Sequence, residues 1–385
     1  MSRKSSKNDY SRLLVIIPDR LSELVAKGEI IERYYNPGNL FQEVHLIMTS
    51  DDQVDYDKVK IMVGDARLYL YNLPIPCFKR TLGWQPILMS NWIRSGVQLA
   101  RDINPVLVRS YNNFIEGYLA KLIKDDIGVP YVISLHGVWD RDCLITRKDK
   151  VLRFFKKKFE KISLKHSDAV ICVYKPIMRY AKEYGARNVR LVYNAVSNNV
   201  EVRSHYRLDG RPKLITINRQ LKEKNPENII RAIQDLDCTY LVVGDGEYHE
   251  HLIDVARNCG CLDKVEFVKA MPNKELCTKL KDFDIMVSHC DYWGMSKTVI
   301  EASLAGLPII INRHPVEAIP EYDGDWLIQC DNTPDGYRQA LQQLLASDSL
   351  RFTYGKNARE HALRNFHPDV MENSVVQIYK KAIGQ

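Results

Sequence analysis

Residues Ser288–Asn312 read SHCDYWGMSKTVIEASLAGLPIIIN, and the fold turns on this stretch. It opens at the end of Phe283–Ser288 (FDIMVS), a short apolar run with the pattern of a buried parallel strand. His289–Met295 is a polar turn closing on Trp293-Gly294, where a glycine lets the backbone approach a ligand closely. Ser296 stands as the N-cap of a helix running to about Ala305, ended by Gly306 and Pro308, after which Ile309–Ile311 begin the next strand. A strand, a glycine turn and a helix N-terminus together make an anion site, because N–H groups and a partial positive charge of about half a unit face the crevice. Glu301, five residues past Ser296, can accept hydrogen bonds from vicinal hydroxyls beside that anion. The same letters also suit an ordinary βαβ unit with a surface glutamate, so the rest of the chain has to decide.

At 385 residues the chain is long enough for two domains, each with its own core. No run approaches the length of a transmembrane helix, and the apolar stretch of MSRKSSKNDYSRLLVIIP is too short for a signal peptide. The nine cysteines form no CxxC pair; Cys259-Gly-Cys261 is the one close pair and lacks partners at metal-site spacing. The expected setting is therefore reducing and cytoplasmic, with cysteines acting as small core residues. Net charge is +7, unevenly spread. Arg147, Lys148, Lys150, Arg153, Lys156, Lys157, Lys158 and Lys161 alternate with Val151, Leu152, Phe154, Phe155, Phe159, Ile162 and Leu164. That basic amphipathic helix, 147–165, reads either as a dock for an anionic membrane surface or as a solvated face over a buried stripe. No nucleic-acid motif accompanies the charge, so nucleic acid is not an expected partner.

Strands are expected at Leu13–Ile17, Val44–Thr49, Val106–Arg109, Tyr131–Leu135, Ala169–Val173 and Val189–Val192, with helical segments between them. The acidic cluster Asp51, Asp52, Asp55 and Asp57 reads as a solvated loop rather than a metal site. Asn194–Gly210 is polar and turn-rich and reads as the interdomain linker. The pattern restarts with Lys213–Ile217, a helix from Pro226 to Leu236, strands Tyr240–Val243 and Val265–Val268, and a helix from Asn273, a cap candidate, to Lys281. Strands alternating with helices predict a doubly wound α/β sheet in each half. The expected division is an N-terminal domain 1–205, a C-terminal domain 206–368, and a terminal helix 369–385 packing back on the first domain.

In open α/β sheets ligands bind beyond the carboxyl ends of the strands. Three such ends in the second half carry Arg219 and Lys224, then Gly244-Asp245-Gly246, then Trp293-Gly294-Met295-Ser296. Two cations beside a helix N-terminus would clamp a diphosphate and offset the charge that grows as it departs. In motif and order, the chain resembles the retaining glycosyltransferases of the GT-B fold, in the GT4-like family (glycosyl transferases group 1). That fold implies two Rossmann-like domains facing a central cleft. Arg219 and Lys224 match the family's Arg-x4-Lys pair for donor diphosphate, and Glu301 in VIEASLAGLP matches the glutamate that holds the nucleotide ribose. Gly294, Met295 and Ser296 occupy the turn that binds donor phosphate and sugar, and His136-Gly137 matches a strand-end pair near the reacting sugar.

The resemblance has two departures. The first glutamate of Glu-x7-Glu falls where this chain has Trp293, which implies an unusual donor sugar, compensation by Asp291, or an inactive domain. In place of paired glycines after the first strand, Lys27-Gly28 is the nearest counterpart. The resemblance implies His136, Arg219 and Lys224 as catalytic residues. It implies Trp293, Gly294, Met295, Ser296, Lys297, Thr298 and Glu301 as donor-binding residues, and Gly28 and Asp140 as acceptor or donor contacts. The nucleotide base would stack near Lys269-Ala270. No cofactor and no metal are expected, Arg219, Lys224 and the Ser296 helix taking the cation's place. The expected reaction moves a sugar from a nucleotide-diphosphate sugar to a glycan or lipid-linked acceptor of the cell envelope, with the protein peripheral on the inner face of the membrane. Two other readings keep the fold: a non-catalytic GT-B-like binding partner, and a GT-B sugar-nucleotide epimerase.

Overall fold

The computed structural model describes residues 10–76, 86–137, 149–196, 200–224, 226–291 and 294–384. Two compact units emerge, Met1–Tyr193 with Met371–Gln385, and Asn194–Val370.

The first unit is built on β1 (Tyr10–Ile17), β2 (Phe41–Met48), β3 (Arg67–Asn72), β4 (Leu107–Ser110), β5 (Tyr131–Leu135), β6 (Ala169–Cys172) and β7 (Val189–Leu191). They form one parallel sheet in the order β3-β2-β1-β4-β5-β6-β7. β1 shows why its sequence is an unbroken apolar run. Leu13, Val15 and Ile17 enter the core on one face, Leu14 and Ile16 the core on the other, and all five are fully buried. A strand covered on both faces has no polar side to show. Helices Pro86–Ile103, Ile115–Ile127 and Lys175–Glu183 supply Trp92, Leu119, Ile123, Ile177 and Tyr180 to the second core. The C-terminal helix Pro368–Ile383 closes the first core with Met371, Val375, Ile378 and Tyr379.

The second unit repeats the plan with β8 (Lys213–Ile217), β9 (Thr239–Val243), β10 (Val265–Val268), β11 (Ile285–Ser288), β12 (Ile309–Asn312) and β13 (Ile328–Cys330). Their order, β10-β9-β8-β11-β12-β13, is again wholly parallel. Counted from its own first strand, the first sheet runs 3-2-1-4-5-6-7 and the second 3-2-1-4-5-6, so each has a topological switch point, between β1 and β4 and between β8 and β11. The two Rossmann-like halves therefore share an architecture that no sequence repeat announces.

The structure departs from the sequence expectations at several places. The edge strand β3 (RLYLYN) went unread because one face is largely solvated, so its apolar signal is thin. The expected linker is bound to the second unit from about Glu201. Glu201 N donates to Cys277 O (3.2 Å), Arg203 N to Ala305 O (2.9 Å), and Tyr206 OH to Gly306 O (2.8 Å). The Arg203 guanidinium also reaches Phe283 O and Asp284 (2.5 Å to Oδ1). The boundary accordingly falls at Asn194 rather than at 206. The acidic cluster is structural. Asp52 accepts from Ser22 N (3.0 Å), Asp55 caps the helix Tyr56–Lys60 through Asp57 N (3.2 Å), and Asp51 accepts from Asn72 (3.0 Å).

The basic helix forms as Asp149–His166, with Lys158, Lys161 and Lys165 exposed. Phe159, half-buried, packs edge-on against Tyr118, ring centres 4.7 Å apart. Among the described residues no helix is long and apolar enough to cross a membrane.

Candidate active site

In the second unit, three loops at the carboxyl ends of β8, β9 and β11 are tied together by main-chain contacts. Gln220, fully buried, joins the first two. Its backbone N donates to Asp245 O (3.0 Å), its Nε2 to Gly244 O (2.7 Å), and its Oε1 lies 2.7 Å from His249 Nδ1. Sequence reasoning passed over Gln220 because its partners are 24 and more residues away. Glycine is required at the facing turn: a Cβ on Gly244 would lie 1.9 Å from Asn218 O, and one on Gly246 2.4 Å from Gln220 O. Both also have positive φ, 142° and 158°. Arg219, exposed, and Lys224, half-buried in the 3-10 turn Lys222–Lys224, extend from this loop, and Glu223 O accepts from Asp291 N (2.9 Å), joining it to the loop after β11.

The helix Lys297–Ala305 starts where the sequence placed it, with Ser296 as N-cap and Gly306 ending it in the left-handed region (φ 79°). Ser296 does not cap through its hydroxyl, which pairs with Thr298 Oγ1 (2.8 Å). Thr298 Oγ1 in turn donates to Ile217 O (3.2 Å), pinning the helix N-terminus beside the end of β8. The Ser296 hydroxyl thus does not occupy the N–H groups that open the helix, while Val299 N and Ile300 N donate to Ser296 O (3.2 and 3.4 Å). Gly294 (φ 157°) and Met295 are buried ahead of it, and Lys297 and Thr298 are half-buried. Trp293 lies outside the described residues.

Glu301 is only 3% exposed, and Asn273 Nδ2 donates to its Oε1 (2.9 Å). Asn273 was expected as a helix cap; Pro272 takes that place, and the Asn273 side chain turns to the glutamate instead. Asp291, considered as a stand-in for the missing first glutamate, is already engaged. Asn312 Nδ2 donates to its Oδ1 (2.8 Å), His289 Nε2 lies 3.1 Å from its Oδ2, and Asn332 reaches both oxygens. Burial would raise its pKa, but the hydrogen bond and charge of His289, with Asn312 and His314, hold it below the ordinary value. Lys269 and Ala270 are exposed just after β10.

In the first unit, His136-Gly137 follows β5 and lines a pocket of about 260 Å³ with Tyr111, Asn112, Asn113, Ser134, Lys156, Glu160 and Tyr180. His136 stacks on Tyr111, ring centres 5.7 Å apart and planes 20° apart. Tyr180 OH donates to Glu160 Oε2 (2.9 Å) and accepts from Asn113 Nδ2 (3.2 Å). Gly28 (φ 67°) forms the turn after the helix Leu21–Ala26, its N donating to Val25 O (3.0 Å). Asp140 lies outside the described residues.

Residues 199–361 match the family described as glycosyl transferases group 1, and residues 41–199 match glycosyltransferase family 4. An uncharacterized glycosyltransferase of Methanocaldococcus jannaschii is 26% identical over 368 residues, covering 86% of this chain and 87% of that protein. A GDP-mannose-dependent alpha-(1-6)-phosphatidylinositol monomannoside mannosyltransferase of Mycolicibacterium smegmatis is 28% identical over 43% of this chain and 47% of its own length. Among solved structures, Anabaena HepE in complex with UDP and glucose superposes with a TM-score of 0.69 at 12% identity, over 96% of this chain and 99% of that one, a likeness of fold. Two matched sheets of seven and six parallel strands, and family matches that run end to end across both units, make this chain a GT-B glycosyltransferase of the GT4-like group 1 family.

Proposed function

We propose that the protein is a retaining, metal-independent glycosyltransferase that moves a hexosyl group from a nucleotide-diphosphate sugar to a glycan or lipid-linked acceptor. The observation that carries this reading is the helix N-terminus at Ser296, pinned beside the end of β8 and joined through Asp291 to the loop bearing Arg219 and Lys224. In such a transfer the bond from the anomeric carbon to the phosphate oxygen breaks. The acceptor hydroxyl gives up its proton to the departing diphosphate oxygen and bonds the same face of the sugar. Negative charge then grows on the departing diphosphate, and fixed cations and backbone dipoles aimed there lower the barrier without reorganising. Arg219, Lys224 and the helix dipole take that role, Gly294 and Met295 offer backbone N–H groups to phosphate and sugar, and buried Glu301 accepts from the ribose hydroxyls.

The acceptor is assigned to the first unit, at the pocket that holds His136. Exposed Lys158, Lys161 and Lys165 on one helix favour attachment to the inner, anionic face of a membrane, in line with the lipid acceptor named for the mycobacterial relative. Envelope polysaccharide or glycolipid assembly is the setting this implies.

The test is a thermal-shift panel of UDP, GDP and their glucose, galactose, N-acetylglucosamine and mannose conjugates on wild type and Lys224→Ala. A ligand that binds only the folded state raises the melting temperature by mass action. One base should shift the wild type and lose its effect in Lys224→Ala. No shift with any nucleotide would favour the non-catalytic partner, with Trp293 as its mark.

A further inference from the structure

The first unit contains a buried cation that, among the described residues, has no directly paired carboxylate. Arg109, in β4, is 6% exposed. Its Nε and Nη2 donate to Ser134 Oγ (3.1 and 2.9 Å), its Nη1 donates to Tyr379 OH, and its guanidinium lies 4.4 Å over the Tyr111 ring. Among the described residues no carboxylate pairs with it. The surrounding hydroxyls do not neutralise it either: burial pushes Tyr34 up to about 12 and holds Tyr111 and Tyr379 above the ordinary tyrosine value, so all three stay protonated near neutral pH. Leaving a buried charge unpaired costs several kcal/mol, a cost that a bound counter-ion removes.

Two of that guanidinium's three neighbours lead to one cavity. Ser134 and Tyr111 line the pocket of about 260 Å³, as does His136, which stacks on Tyr111. Across it stands Lys156, its Nζ 3.9 Å from Glu160 Oε1 and 5.6 Å from the Phe114 ring centre. Lys156 and Glu160 offset one another in part, and the buried Arg109 adds to the positive side. Of the other carboxyls nearby, Glu116 accepts from Thr49 Oγ1 (2.8 Å) and is held toward its neutral form by burial, while Asp19 is exposed and acts on the tyrosine cluster only as a longer-range charge.

We propose that this pocket binds an anionic group of the acceptor, a carboxylate or a phosphate, with Lys156 in contact and Arg109 acting through Ser134 and Tyr111. The inference rests on the reading of the first unit as the acceptor side. It narrows the acceptor class to molecules that carry a negative charge beside the hydroxyl that is glycosylated. Lys156 is the direct ligand; Arg109 is a positioning residue whose field sets the preference.

The experiment follows the melting temperature of the full chain against malonate and inorganic phosphate, with chloride at matched ionic strength as reference, for wild type, Lys156→Ala, Lys156→Gln and Lys224→Ala. Wild type should be stabilised by the two anions beyond chloride. Both Lys156 variants should need at least tenfold more malonate, whereas Lys224→Ala should keep the malonate response and lose only the part of the phosphate response that the donor side contributes. Flotation with phosphatidylglycerol vesicles, against phosphatidylcholine, separates the sources. Binding that free phosphate displaces assigns the site to a lipid headgroup, and stabilisation without vesicle binding assigns it to a soluble acid or phosphate. No preference over chloride in wild type, or a preference that survives in Lys156→Ala and vanishes in Lys224→Ala, overturns the inference. Nucleotide binding on the same samples keeps the two claims apart: a chain that binds nucleotide without anion preference loses only the pocket assignment, and one that binds neither loses both.

Discussion

Asn273 and Glu301 meet across 28 residues of sequence, the amide Nδ2 of one 2.9 Å from the carboxylate Oε1 of the other. The contact holds the carboxylate in one orientation on a helix otherwise buried from Val299 to Ala305. A side chain locked this way loses little freedom on accepting a pair of hydroxyls, which is how preorganisation raises affinity. Glu301→Ala should weaken nucleotide binding by about tenfold or more, some 1.4 kcal/mol, measured by calorimetry. Asn273→Ala should weaken it less, since it removes an aligning contact and not the acceptor of the ribose bonds. Unchanged nucleotide affinity in Glu301→Ala would remove the glutamate from the site.

The turn at Gly244–Gly246 admits no side chain. Alanine at Gly246 would set its Cβ against the backbone of Gln220 (2.4 Å to O, 2.8 Å to C), neither of which can swing aside. Gly246→Ala is expected to lower stability by about 2 kcal/mol or more, as strained backbone and displaced packing do, and to blunt any nucleotide-induced shift. Gly210→Ala is the control. Its φ is 92°, yet a Cβ there meets nothing within 4 Å, so it should carry the conformational cost alone. Equal melting temperatures for the two variants would mean that the loop yields.

Tyr379 brings the C-terminal helix onto Arg109, 270 residues earlier in the chain. Tyr379→Phe leaves the ring in the core but strips one acceptor from a buried guanidinium, a loss of about 1–3 kcal/mol. Ending the chain at Val370 goes further, uncovering the face of the first core that Met371, Val375 and Ile378 close. That shortened chain should aggregate or melt far below wild type in a thermal scan. Retention of the wild-type melting temperature would show the first core to be complete without the helix.

The parts legible in the sequence were those with short-range signals. A parallel strand covered on both faces is an apolar run, and a helix ending at Gly306 before Pro308 writes its own stop, so Ile285–Ser288, Lys297–Ala305 and Ile309–Asn312 were readable directly. The residues that support the site were not. Gln220 looks like any polar loop residue until His249 and Gly244 arrive from another strand. Asn273 looks like a cap until Glu301 is beside it. Arg109 looks like a charged strand end, and only folding reveals that, among the described residues, its hydrogen bonds go to hydroxyls and not to a carboxylate. Each depends on a tertiary partner that no local pattern encodes, and propensity yields to such partners when they are buried. Phe159 illustrates the converse, since an amphipathic pattern does not say whether an aromatic at its edge turns to lipid or to a neighbouring helix.

Asp291 gives the fold a defined acid response. His289, Asn312 and His314 hold its pKa in the folded chain below the ordinary 3.8 despite burial. A carboxyl whose folded pKa is depressed adds stability that is fully present above the unfolded value and is lost as pH falls through the folded one. The contribution should therefore be present at pH 5 and decline below about 4 as the unfolded chain begins to take up the proton first. Asp291→Asn cannot carry the charge, so it should be less stable than wild type at pH 6 by about 1 kcal/mol, the scale of a charge-assisted hydrogen bond half-open to solvent. The gap between the two should narrow on acidification past pH 4, in urea titrations at each pH. A constant gap down to pH 3 would mean that the network holds Asp291 through its hydrogen bonds alone, with the charge contributing nothing to the loop that joins Asp291 to Glu223.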